Sequence, residues 1–276
     1  MTVLSAGVSQ PARAQAAITL AAHKAVYDLV LETANPGSNV TDITGQLTYE
    51  FTGSACEGYS LTTRLTTEIS DREGKPSVTD IRSQSFERSD FNLYRFNTVQ
   101  FMNEKQTEAT KGTAYRRAQS RGLAIDLEKP RRGTAQVSGN LFFPTQHTVA
   151  IIKAAQAGQM RVQADIFDGS DKGEKVYETT TTIGRVLGSE DNRKLPPVAG
   201  GELLDPIEAW PVIVSYYDQS PTKDGLPVYE VSFRLYANGV SRKLKLDYGT
   251  FALVGELKSI DFLKSTPCPG SRNPTR

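Results

Sequence analysis

From Lys24 almost to the end of the chain, β-branched and aromatic residues alternate with polar ones at a period of two. That period puts successive side chains on opposite faces of an extended strand, so one face can be buried while the other meets water. Val26, Asp28 and Val30 fall on one such face, with Tyr27, Leu29 and Leu31 on the other. The same reading predicts strands over 43–51, 59–69, 78–86, 91–102, 122–127, 160–167, 176–186, 210–217, 227–236, 240–248 and 251–262. Short turns between so many strands require antiparallel pairing, because parallel neighbours need long crossovers. One segment breaks the pattern. After Phe143-Pro144, residues Val149, Ile152 and Ala155 recur at helical spacing over 146–159, with Thr145 as expected N-cap and Gly158 as expected stop. The fold class that follows is mainly β: a mainly antiparallel sheet with one central helix, placed between two runs of strands where it can cover one mouth of a sheet that curls. Residues 188–209 carry Pro196-Pro197, Gly200-Gly201 and Pro206, so they form a long connection, either a lid or a linker.

A chain of 276 residues buries roughly three quarters of its unfolded surface, enough to fold without metal or a dense disulfide framework. Its 32 basic and 31 acidic side chains leave a net charge of +1, which supplies no global field to attract nucleic acid. Compartment must be read elsewhere. Ala14-Gln15-Ala16 fits the small-x-small rule of a signal peptidase, although a basic start and a long apolar run are missing, so 1–19 is a remnant signal peptide or a disordered tail. Residues 20–270 form the single β domain, and 271–276 a disordered C-terminal tail. The two cysteines, Cys56 and Cys268, are far apart and neither sits in a C-x-x-C spacing. They are either one disulfide or two unrelated buried thiols. Both lie in turn compositions, Gly53-Ser-Ala-Cys56-Glu-Gly58 and Thr266-Pro-Cys268-Pro-Gly270, whereas inert thiols usually sit within apolar elements. A bridge, and with it an oxidising compartment, is the favoured reading.

Few residues carry chemistry. His23 and His147 are the only histidines, and each reads as structural, the second because an imidazolium in the first turn of a helix meets the positive end of the dipole. No H-E-x-x-H, G-x-S-x-G or phosphate-loop pattern is present, and no catalytic residue, metal or cofactor is expected. Asp165, Asp168, Asp171 and Glu174 suggest calcium at first sight, yet they lack the alternate-position order of an EF-hand and read better as a solvated turn with Gly169 and Gly173. Between residues 111 and 132, Lys111, Arg116, Arg117, Arg121, Lys129, Arg131 and Arg132 are opposed only by Asp126 and Glu128. Arg116, Arg117, Arg131 and Arg132 form the candidate patch for an anionic head group or glycan; the alternative is a solvated face with charges guarding strand edges. Trp210, Tyr216 and Tyr217 come from one strand and are candidate ligand-binding aromatics if the sheet encloses a cavity, with the two tyrosines on opposite faces.

Taken in order, Leu20-Ala-Ala-His23-Lys-Ala-Val-Tyr27-Asp28-Leu29, then Gly53, Cys56, Gly58 and Tyr59, then Phe143-Pro-Thr-Gln-His147 resemble the envelope integrity protein B (EipB) family of alpha-proteobacteria. The likeness continues through Tyr177-Glu-Thr179, Ile183-Gly184, Trp210-Pro211, Pro227-Val-Tyr229-Glu230, Tyr236-Ala-Asn-Gly-Val240, Asp247-Tyr248 and Cys268. The resemblance implies a periplasmic protein with one long-range disulfide and a β-spiral, or incomplete barrel. It further implies a role in envelope maintenance with no defined molecular activity, and a link to a periplasmic tetratricopeptide-repeat protein. On that footing the expected function is non-enzymatic support of the envelope through a partner protein or an amphipathic lipid or peptidoglycan component. A lipid or lipoprotein carrier with an apolar cavity is the alternative, and an envelope enzyme using paired carboxylates a third. Exposed sheet edges make a homodimer a further expectation.

Overall fold

The computed structural model describes residues 18–117, 121–219 and 225–265 together with Cys268. Most of the expected leader, 1–19, and the whole of the expected tail, 271–276, lie outside the described residues. The chain runs through β1 (His23–Ala34), β2 (Val40–Ser54), β3 (Gly58–Asp71), β4 (Pro76–Glu87), β5 (Leu93–Met102), β6 (Lys105–Arg116), β7 (Leu123–Lys129), β8 (Gly133–Val137) and β9 (Leu141–Phe142). After the helix α1 (Pro144–Gln156) come β10 (Arg161–Ile166), β11 (Tyr177–Ile183), the short helix α2 (Ser189–Arg193), β12 (Ala209–Asp218), β13 (Tyr229–Tyr236), β14 (Ser241–Asp247) and β15 (Phe251–Phe262).

All 15 strands belong to one sheet, ordered β8-β7-β6-β5-β4-β3-β2-β1-β15-β14-β13-β12-β11-β10-β9. Two meanders therefore run outward from a single long-range pairing of the first strand with the last, in which Tyr27 lies opposite Leu257 and Leu29 opposite Gly255. The single parallel pair, β9 with β10, is joined through α1, as the crossover rule demands. No ladder joins the two ends, β8 and β9, among the described residues. Side chains close the seam instead: Tyr94, Phe96, Leu123 and Ile125 from one arm pack on Leu141, Phe143, Phe167 and Val176 from the other. Tyr94 stacks on Phe143 at 5.1 Å and Phe167 meets Phe96 edge-on at 5.7 Å, geometries that aromatic quadrupoles favour. The sheet is thus a spiral rather than a closed barrel.

Three strands were invisible to the alternation rule. The inward row of β6 is Thr110, Gly112 and Ala114, small because Phe96 packs against it, so the row carries no bulky apolar signal. β8 is an edge strand with no buried residue, and β9 is only two residues long. The helix also starts earlier than its sequence suggests. Its N-cap is Phe143 rather than Thr145, with Pro144 at the first helical position, where a missing N–H costs nothing. Gly158 does stop it, at φ 73°. The turn after β10 is solvated only on one side, where Asp171, Lys172 and Glu174 are exposed. Gly169 and Gly173 are buried and Asp168 is half-buried, and at Gly169 (φ 75°) a Cβ would lie 2.5 Å from the Phe96 ring, so the other side of this turn forms part of the packed seam.

The connection 188–209 is fastened along its length. Asn192 in α2 donates to the carbonyls of Leu204, Asp205 and Ile207 and accepts from Arg234, while Arg242 donates to the carbonyl of Pro196 at 2.9 Å. Those bonds hold it as a packed linker over β13 and β14. A disulfide links Cys56, in the turn between β2 and β3, to Cys268, with Cα atoms 5.7 Å apart and a sequence separation of 212. It ties the end of the chain back to an early hairpin. In the chain-entropy account a loop that long removes about 5 kcal/mol from the unfolded state.

Candidate functional site at the helix N-terminus

The polar groups of the interior converge where α1 begins. Four N–H groups at a helix start lack partners within the helix. Here Glu87, the last residue of β4, supplies the acceptor: its carboxylate takes the backbone N–H of Thr145 at 2.6 Å and of Gln146 at 3.1 Å. Glu87 is buried, and the loss of hydration pushes its carboxyl up to about 7 despite those bonds. Beside it, Arg116 at the end of β6 crosses the seam. Its Nε donates to the Phe91 carbonyl at 3.0 Å, and its Nη2 donates to the Leu141 carbonyl and to Gln146 Oε1. The guanidinium also lies 5.2 Å from the centre of the Phe143 ring. One arginine thus bolts β6, β9 and α1 together.

The two histidines are enclosed. His147 Nε2 sits 3.3 Å from Thr181 Oγ1, and burial lowers its pKa to about 4. His23 Nδ1 lies 2.7 Å from the Ala21 carbonyl, and its ring stacks on Tyr49. Burial lowers its pKa as well. Both are neutral near pH 7 and satisfied by the fold. Among the described residues no group of three or more His, Cys, Asp and Glu side chains is placed to hold a metal ion.

Beside α1 lies a mostly apolar cavity of about 110 Å³, walled by Tyr49, Phe51, Leu61, Ile151, Phe233 and Leu235. Pockets for whole organic ligands usually run to several hundred cubic ångströms, so this one accommodates a short apolar tip. The aromatics singled out in the sequence do not share a surface. Trp210 is in the core with Val212 and Val214, and Tyr216 packs at its margin, stacked on Tyr229 at 4.3 Å. Tyr217 points to the opposite face, into an outer groove with Phe142 and Gln163. Sequence reasoning had no signal for the cavity walls, which come from β2, β3, α1 and β13.

The basic stretch also divides. Arg116 and Arg117 line an open groove of about 790 Å³ at one end of β6, together with Arg88, Arg121, Asn92 and Asn140. Arg131 and Arg132 lie in the turn between β7 and β8, at the other end of β7, roughly 20 Å away at strand rise. Lys111 pairs with Glu128 at 2.6 Å.

A curled, largely antiparallel sheet, wrapped on one helix and stapled by a long-range disulfide, is a barrel-like β protein. Its architecture matches a crystal structure from Brucella abortus described as a beta-barrel-like protein of domain of unknown function DUF1849. The TM-score is 0.81 at 32% identity, over 90% of this chain and 100% of that one. The EipB-like family model matches residues 14–264, and the chain belongs to that family. It is a homologue of the cell envelope integrity protein EipB of Brucella abortus (strain 2308), 35% identical over 256 residues, covering 93% of this chain and 89% of the relative.

Proposed function

We propose that the chain is a non-enzymatic periplasmic protein that maintains the cell envelope by binding, at the rim of its spiral, a partner protein or an amphipathic envelope ligand. The observation that carries this reading is the kinship with an envelope integrity protein over nearly the whole chain, supported by the Cys56–Cys268 disulfide, a bond that persists in oxidising compartments. The interior supports binding over catalysis, because Glu87, Arg116 and His147 are each engaged in holding α1 in place. A tetratricopeptide-repeat protein of the same compartment is the proposed protein partner. The carrier alternative places an acyl chain under α1, where the available volume of about 110 Å³ holds only its tip, so the open rim is the better binding surface.

Deletion of the gene in its native host is expected to sensitise cells to detergents and to antibiotics that act on the envelope. The Cys56–Cys268 bridge is expected to be intact in protein released by osmotic shock. Normal growth of the deletion strain on detergent, or recovery of the protein only from the cytoplasm, overturns the proposal.

A further inference from the structure

We infer that the groove at the open end of β6 is a binding site for a phosphoryl group, with Arg116, Arg117 and Arg121 as its cationic donors and Arg88, Asn92 and Asn140 at its margin. This rests on the rim-binding reading above and gives it a ligand class. Among the described residues four arginines line the groove and no acidic residue does, with the carboxylate of Asp165 at its margin, beside Gly139. Arg88 is offset by Asp90 at 2.7 Å, but among the described residues Arg117 and Arg121 form no ion pair. Some cations elsewhere are paired, Arg64 and Arg82 with Asp80, Lys175 with Asp218 and Lys245 with Glu32, whereas others, Arg131 and Arg132 among them, form no ion pair among the described residues. What sets the groove apart is that several arginines converge on one concavity. With 32 basic and 31 acidic side chains overall, the excess here is local rather than compositional.

Arg116 adds geometry to charge. A guanidinium carries five N–H donors. The Nε and Nη2 donors of Arg116 are held by Phe91, Leu141 and Gln146, which fixes the plane of the group. No protein acceptor meets Nη1 among the described residues, while the side chain is half-buried and lines the groove. Burial of this uncompensated cation lowers its pKa, a cost that a bound anion relieves. A rigid guanidinium with free donors, flanked by two unpaired ones and two carboxamides, suits a tetrahedral oxyanion better than a single carboxylate. A phosphate ester offers up to two charges and three acceptor oxygens, and arginine binds it bidentately.

The phosphoryl group could belong to a lipid headgroup or to a soluble phosphorylated molecule, and two probes separate these sources. Flotation with phosphatidylcholine vesicles, with and without phosphatidylglycerol, tests the first, and titration calorimetry with inorganic pyrophosphate tests the second. Arg117→Ser/Arg121→Ser is expected to weaken whichever interaction occurs by at least about tenfold, since charge-assisted hydrogen bonds are lost. Arg116 is left in place because it holds the seam. The control Arg131→Ser/Arg132→Ser removes the same charge at the far end of β7 and is expected to change binding less than about twofold. Binding to phosphatidylglycerol vesicles alone assigns a lipid; binding to pyrophosphate, with or without vesicles, assigns the phosphoryl group itself. Equal losses in the two double variants mean diffuse surface charge and overturn the site, as does absence of binding to both probes. Neither negative result touches the envelope role, which the deletion strain tests independently.

Discussion

Strands β2 to β5 live in two environments along their own length. At one end Phe51, Tyr59, Glu87 and Tyr94 are buried beneath α1 and the seam. At the other, Ile43 and Thr67 still turn inward and are buried, but Thr44, Gln46, Arg64, Glu68, Val78 and Arg82 are exposed, and Asp80 holds Arg64 of the neighbouring strand at 2.9 Å and Arg82 of its own strand at 2.7 Å. The ladders continue through both ends, with one register shift between Val40 and Asp42 at the start of β2. The contrast teaches that backbone pairing makes the sheet, whereas stability comes from what covers it. The covered end should therefore respond strongly to single changes and the uncovered end weakly.

Opening the disulfide tests this most severely. Cys56→Ser/Cys268→Ser should lower stability by about 5 kcal/mol in denaturant titrations, and reductant should reproduce the effect on the parent protein. Truncating the seam comes next. Phe143 is fully buried, so Phe143→Ala should lower stability by about 3–5 kcal/mol. A loss under 1 kcal/mol there would mean that the seam is not closed by packing.

Glu87 and His147 sharpen the comparison through pH. The Glu87 carboxyl is raised to about 7, so its stabilising contribution is complete below about 4.5 and is lost as pH rises through 7. His147 is lowered to about 4, so its contribution is complete above about 6.5 and is lost as pH falls through 4. Between about pH 4.5 and 6.5 the two slopes oppose each other, and the parent protein should show little net dependence. Glu87→Gln should expose the histidine slope, with stability rising by about 3 kcal/mol from pH 4 to 6.5. His147→Gln should expose the opposite slope between pH 4.5 and 7. Parallel profiles in all three proteins would show that neither group titrates as its burial requires.

The smallest effect belongs to the uncovered end. Asp80 has its carboxyl held down to about 2, first by its hydrogen bond from Arg64 and then by that from Arg82. Both arginines are largely exposed, so Asp80→Asn should cost less than about 1 kcal/mol at neutral pH and less in high salt. A cost comparable to that of Phe143→Ala would dissolve the distinction between the two ends.

Most strands were legible because their inward rows carry large apolar groups, as Trp210, Val212 and Val214 do in β12. β6 was not, since Thr110, Gly112 and Ala114 are small in answer to Phe96, which lies on another strand. Of the basic residues named in advance, Arg116 and Arg117 share a groove, while Arg131 and Arg132 lie elsewhere, because a hairpin carried them to its opposite end. Glu87 was missed altogether. Nothing in Phe86-Glu87-Arg88 marks an acid that caps a helix starting 57 residues later.

The amino-acid pattern alone determined the strands with bulky inward rows, the helix and its glycine stop, the turns, and a cysteine pair that favoured a bridge, because each depends on neighbours a few residues apart or on composition. Only the tertiary structure decided where the sheet stops short of closing, which acid caps the helix, and which arginines gather at the groove. Those outcomes depend on the accumulated curl of 15 strands, which brings distant residues together at positions that no local spacing encodes.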